Sequence, residues 1–149
     1  MSPTEPLTVL LADDDEDDRL LARDALRQSP VPVALHCVGD GAELLEYLRR
    51  QGRYAPPAQA PRPALVLLDL NMPRMGGLEA LREIRGDPAL RRIPVVVMTT
   101  SSRGEDVARS YELGANSFIT KPVTFSGLVE VMGSLGRYWG ETVSLPEPD

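Results

Sequence analysis

The 149-residue chain carries 16 basic and 22 acidic side chains, a net charge of −6, with a hydrophobic fraction of 42% and a charged fraction of 26%. That composition is one ordinary globular domain needing neither disulfide nor structural metal, and its acidity argues against nonspecific nucleic-acid or anionic-membrane binding. Cys37 is the single cysteine, no apolar run reaches membrane-spanning length, and Met1-Ser2-Pro3-Thr4-Glu5 is not a signal-peptide start, so a multi-cysteine metal site is excluded and a reducing cytoplasm is expected.

The first apolar run, Leu7–Ala12, reads as a buried strand that empties into Asp13-Asp14-Asp15-Glu16-Asp17-Asp18. Two like charges ~4 Å apart repel by roughly 4 kcal/mol at an effective dielectric near 20, so the cluster calls for an offsetting cation. Glu16, Asp17 and Asp18 read as a solvated helix start, where acids suit the helix dipole. Asp13 and Asp14, still at the strand end, read as metal ligands. A helix follows, with Leu20, Leu21, Ala25 and Leu26 on one face.

Val33–Val38 is the second strand, and it holds the only histidine, His36. His36 and Cys37 read as structural. Asp40 and Glu43 have capping-box spacing ahead of a helix with Leu44, Leu45 and Leu48 on its face. Residues 52–63 hold four prolines and read as a semi-rigid surface loop. A third strand spans 64–70, followed by a helix with the stripe Leu78, Leu81, Ile84.

Residues 94–98 form the fourth strand, and Ser102 with Glu105 again has capping-box spacing. Val107, Ala108 and Tyr111 share the next helical face, which Gly114 can end. Ser117–Thr120 is the fifth strand. Thr124 can cap the last helix, where Phe125, Leu128, Val129, Met132 and Leu135 recur at helical spacing. Tyr138 and Trp139 close it as an anchor or a partner surface, and residues 140–149 read as a short frayed tail. Five β-α repeats predict a doubly wound α/β domain over 7–139, a five-stranded parallel sheet with helices on both faces and no output domain.

Ligands of open parallel sheets sit beyond the carboxyl ends of the strands. Strand one ends in Asp13-Asp14, strand three in Asp69, strand four in Thr99-Thr100 and strand five in Lys121-Pro122. Three carboxylates and one lysine sum to a charge that Mg²⁺, a cation preferring oxygen ligands, would neutralise. Around Asp69, an ammonium, a hydroxyl and a divalent cation would stabilise an arriving phosphoryl group.

These segments, Ala12-Asp13-Asp14, Leu68-Asp69-Leu70-Asn71-Met72-Pro73, Met98-Thr99-Thr100-Ser101 and Thr120-Lys121-Pro122, resemble the receiver domain of two-component response regulators. The resemblance implies a flavodoxin-like receiver fold, with Asp69 as phosphoacceptor and Mg²⁺ held by Asp13, Asp14, Asp69 and the carbonyl of Asn71. It implies that Thr99, Thr100 and Lys121 contact the phosphoryl oxygens and that Thr99 and Phe118 form a switch. It also implies a cis bond between Lys121 and Pro122, and a histidine kinase as the phosphoryl donor.

The proline-rich insertion, the segment 109–116 and the aromatic end resemble the single-domain regulators paired with bacterial phytochromes. A signal read from a surface is expected to involve a homodimer through the fourth helix, fifth strand and fifth helix. The alternative activity is a Mg²⁺-dependent aspartyl phosphohydrolase. Those enzymes resemble Asp-x-Asp at the nucleophile, whereas this chain has Asp69-Leu70-Asn71, and asparagine cannot shuttle a proton.

Overall fold

The structure, a computed structural model, describes residues 5–146. The strands are β1 (Leu7–Ala12), β2 (Val33–Val38), β3 (Leu65–Leu68), β4 (Val95–Thr99) and β5 (Ser117–Thr120). All pair in parallel, in the order β2-β1-β3-β4-β5. The helices are α1 (Glu16–Leu26), α2 (Gly41–Arg49), α3 (Gly77–Gly86), α4 (Gly104–Glu112) and α5 (Phe125–Arg137). This is the doubly wound α/β domain that the alternation of runs predicts, in the flavodoxin-like form that the resemblance implies.

Alternate strand residues feed opposite cores, as a side-chain period of two requires. Leu10, Ala12, Val66, Leu68, Val95 and Val97 face α2 and α3, meeting Leu44, Leu81 and Ile84. Val9, Leu11, Leu65, Leu67, Val96 and Met98 face the other way, onto Ala22, Ala25, Met132 and Leu135 of α1 and α5. Burial of each such Leu or Ile stabilises by about 1.5–3 kcal/mol, so the three central strands are the rigid base of the site.

Local details depart from the sequence reading. β2 and β5 are edge strands, and most of their residues are half-buried rather than sealed on both faces. α1 packs through Ala22, Ala25 and Leu26 and leaves Leu20 and Leu21 exposed. Asp40 caps α2 through the Glu43 N–H at 2.8 Å, while the Glu43 carboxylate reaches back to the Gly39 N–H at 2.8 Å. Ser102 and Glu105 make no such box. Instead the Ser101 hydroxyl accepts the Arg103 N–H and donates to Asp106 at 2.5 Å, shifting the start of α4 by one residue.

The Lys121–Pro122 bond is trans, and among the described residues the cis bond is Pro56–Pro57. The two forms of a prolyl amide differ by only about 0.5–1 kcal/mol, so a short motif does not fix the isomer. The chain beyond α5 does not fray at Gly140. It continues in a π-helical turn, Tyr138–Thr142, with Trp139 packed on the α1/α5 core. Residues 147–149 of the expected tail and the start 1–4 lie outside the described residues.

Candidate functional site

The sheet order reverses between β1 and β3, so β1 and β3 are neighbours whose connections leave in opposite directions. The crevice this opens lies beyond their carboxyl ends. Ala12 pairs with Leu68, which sets Asp13 beside Asp69 one residue further on. Both carboxylates are buried, 2% and 7% exposed, while Asp14 is exposed. One carboxylate oxygen from each of Asp13, Asp14 and Asp69 can lie within 4.8 Å of the other two.

Asp69 is held on both oxygens. Its Oδ1 accepts the Thr99 hydroxyl at 2.9 Å and the Asn71 N–H at 3.1 Å. Its Oδ2 accepts Lys121 Nζ at 2.9 Å. Lys121 also donates to Asp13 Oδ2 at 2.8 Å and to Asp18 Oδ2 at 2.9 Å. Asp13 is fixed further by the Asp15 N–H on Oδ1 at 3.0 Å and by Arg19 Nη1 on its carbonyl oxygen at 2.5 Å.

The electrostatics follow from burial against pairing. Burial disfavours the Lys121 ammonium, but the hydrogen bonds to Asp13, Asp69 and Asp18 outweigh it and hold the amine above its usual range. Burial pushes the Asp13 carboxyl up, and Lys121 and the Asp15 N–H only partly oppose it. Three carboxylates contact the one ammonium and Asp14 stands beside two of them, a donor set of hard oxygens carrying surplus negative charge. That set suits a divalent cation such as Mg²⁺.

Asp13, Asp14, Asp69, Thr99 and Lys121, taken from four strand ends, therefore converge as the sequence suggests. Asn71 reaches Asp69 through its backbone, and its side chain is exposed. Thr100 is exposed at an open polar hollow shared with Asn71, Ser101 and Asp106. Phe118 sits on the outer strand opposite Val97, partly buried against the α2/α3 core. His36 lies away from the site with its ring 6.2 Å from that of Tyr47, and Met72 and Met75 are packing residues.

Two contacts escaped the sequence reading. Asp18, read as a solvated acid, contacts Lys121, and Arg19 grips the Asp13 carbonyl. The overlooked signal is Asp15. Its carboxylate accepts the N–H groups of Asp17 and Asp18, capping α1 so that Asp18 turns back over the site.

A loop wall keeps Asp69 in place. A Cβ on Gly77 would come within 2.3 Å of the Asp69 carbonyl oxygen, and one on Gly41 within 2.5 Å of the Met75 oxygen. The loop between β3 and α3 is thus pressed onto the starts of α2 and α3. Arg74, left-handed at φ 62°, fastens it to Asp40 at 2.7 Å.

Residues 9–132 match the response regulator receiver domain. The chain is 40% identical over 141 residues to the response regulator Rcp1 of a Synechocystis species, covering 95% of this chain and 94% of Rcp1. Among solved structures, the phosphorylated cyanobacterial phytochrome response regulator RcpA is 41% identical, with a TM-score of 0.88 over 96% of this chain and all of RcpA. The Mn²⁺-bound form of Rcp1 gives 0.85 at 40% identity, covering 95% of this chain and 100% of Rcp1. RPA3017, from red light signalling in R. palustris, gives 0.88 at 36% identity, covering 96% of this chain and 99% of that one. Fold, convergent strand-end residues and sequence agree: the chain belongs to the response regulator receiver family and is related to its phytochrome-associated members.

Proposed function

We propose that this chain accepts a phosphoryl group on Asp69 from a histidine kinase, a bacterial phytochrome in particular, with Mg²⁺ bound at Asp13, Asp14, Asp69 and the Asn71 carbonyl. The observation that carries the reading is the grip on Asp69 by Lys121, Thr99 and the Asn71 N–H, beside two further carboxylates. When bound, the cation would neutralise charge gathering on the phosphoryl oxygens. The bond from phosphorus to the donor imidazole breaks as one forms to an Asp69 oxygen, and the electron pair stays on the nitrogen. Lys121 and Thr99, with the Thr100 N–H, are the chain's own donors toward the transferred oxygens.

A protein donor is favoured by the rim of the site. Leu21, Val123 and Phe125 are exposed around a pocket of about 110 Å³ that opens beside Asp13, Asp18 and Lys121. Loose apolar side chains bordering an acidic site suit a helical partner more than a small ester. The phytochrome assignment rests on the relatives named for that pathway.

The message would leave by shape. Thr99 follows the new charge and the Phe118 ring turns into the space it vacates, a bias of a few kcal/mol between two states. α4, β5 and α5 then form the face that pairs two copies. Tyr111 and Tyr138 are about half exposed there, and a groove of about 1030 Å³ runs past Ile119, Val131, Leu135 and Trp139. Intact mass after treatment with a small phosphodonor and Mg²⁺ tests the acceptor: the wild type gains one phosphoryl mass and Asp69→Asn gains none. Labelling of Asp69→Asn at the wild-type level would refute it. Sedimentation of the wild type against Tyr111→Arg tests the pairing, and a wild type that stays monomeric in both phosphorylation states would refute that part.

A further inference from the structure

Lys121 has three N–H donors, and each has a carboxylate: Asp13 Oδ2, Asp18 Oδ2 and Asp69 Oδ2 at 2.8, 2.9 and 2.9 Å. The ammonium is saturated, so whatever strengthens one contact weakens another. Asp13 and Asp18 flank the β1–α1 junction, whereas Asp69 ends β3 on the neighbouring strand. The ammonium is thus suspended between the acceptor on one side and two anchors on the other.

The two anchors differ in what else they can do. Asp13 belongs to the group of oxygens that can converge on a cation, while Asp18, in the first turn of α1, does not. A cation engaging Asp13 leaves Asp18 as the anchor that opposes Asp69. Asp18 and Lys121 both line the apolar pocket bordered by Leu21, Val123 and Phe125. Asp18 therefore sits where an approaching donor meets the site.

We infer that Asp18 is a positioning residue: it holds the Lys121 ammonium back from Asp69 Oδ2 and so keeps the acceptor oxygen nucleophilic while Lys121 stays within reach of the incoming phosphoryl group. The inference rests on Asp69 being the phosphoacceptor. Without the Asp18 charge, Lys121 settles on Asp69 Oδ2, occupies the lone pair that must attack and slows transfer.

The test compares Asp18→Asn, Asp18→Glu and Asp17→Asn at saturating Mg²⁺. Asp17→Asn removes the same charge one residue away and controls for the general field. Labelling of Asp69 by a small phosphodonor is followed by intact mass, and the Lys121 side-chain ¹⁵N resonance is followed by NMR without metal. Asp18→Asn is expected to slow labelling roughly fivefold, the scale of one partly exposed ion pair, and to move the Lys121 resonance. Asp18→Glu should recover much of both, and Asp17→Asn should change neither. Equal labelling rates in Asp18→Asn and Asp17→Asn overturn the inference, even if the resonance moves, because the contact is then only structural. A wild type that takes no phosphate overturns the acceptor reading itself.

Discussion

The hydroxyl of Tyr111 accepts the backbone N–H of Phe118 at 3.2 Å, tying α4 to the outer strand at the residue expected to switch. Phe118 brings no hydroxyl of its own, and α4 buries little besides Ser110, so this bond is one of the few polar links between α4 and the sheet. Any movement of α4 against β5 must break or carry it.

Tyr111→Phe removes that acceptor and keeps the ring. The freed N–H turns to water at an exposed edge, so stability should fall by about 0.5–1 kcal/mol. Hydrogen exchange at the Phe118 amide should speed up while amides of β1 and β3 hold. An unchanged Phe118 amide would show that the hydroxyl does not protect it.

Asp40→Asn keeps a cap on α2 but loses the charge that faces Arg74. Burial raises the Asp40 carboxyl, but the Glu43 N–H and Arg74 outweigh it and hold it below the usual carboxylate range. A depressed acid stabilises the fold above its unfolded value of 3.8 and loses that contribution as pH falls through its folded value. The wild type should therefore exceed Asp40→Asn by about 0.5–1 kcal/mol near neutral pH. The gap should close below the unfolded pKa, as urea midpoints across pH would record.

Gly77→Ala and Gly86→Ala lie in the same helix and should act in opposite directions. A methyl on Gly77 runs into the Asp69 carbonyl, whereas nothing lies within 4 Å of one on Gly86. Gly77→Ala should cost about 1–3 kcal/mol and slow phosphorylation, because the acceptor loop must shift. Gly86→Ala should gain up to about 1 kcal/mol from reduced unfolded-state freedom. Equal midpoints for the two variants would contradict the close approach at Gly77.

Arg85 staples α3 to the chain on either side of β4. It donates to the carbonyls of Gly114 and Ile93 at 2.8 Å, to that of Arg91 at 3.1 Å, and to Asn116 Oδ1 at 3.1 Å. Arg85→Ala strands these acceptors and should cost about 2–3 kcal/mol. Arg85→Lys should recover less than half, since a single ammonium cannot span a planar fork of acceptors. Full recovery in thermal unfolding would mean that charge alone is needed there.

Much of this protein was legible in one sequence. Buried parallel strands are short, apolar on both faces and bounded by turn residues, so the runs 64–70 and 94–98 showed the third and fourth strands, whose observed bounds are Leu65–Leu68 and Val95–Thr99. A parallel sheet also fixes where strand-end side chains gather, which is why Asp13, Asp69, Thr99 and Lys121 could be grouped without coordinates. Local pattern failed where neighbours decide. Leu20 and Leu21 fit the α1 stripe but lie outside it, because packing against α5 selected Ala22 and Ala25. The Ser102–Glu105 spacing gave way to the Ser101–Asp106 bond, since the path of the chain leaving Thr99 sets which hydroxyl meets the helix start. Asp18 shows the division most clearly. Its sequence context is that of a solvated acid, and only the meeting of α1 with the end of β5, over a hundred residues away, turns it toward Lys121. Sequence determined which groups reach the site, since composition and period set the strands and their order of arrival. The tertiary structure decided which of those groups hold one another, because a contact between distant segments depends on packing that no local spacing records.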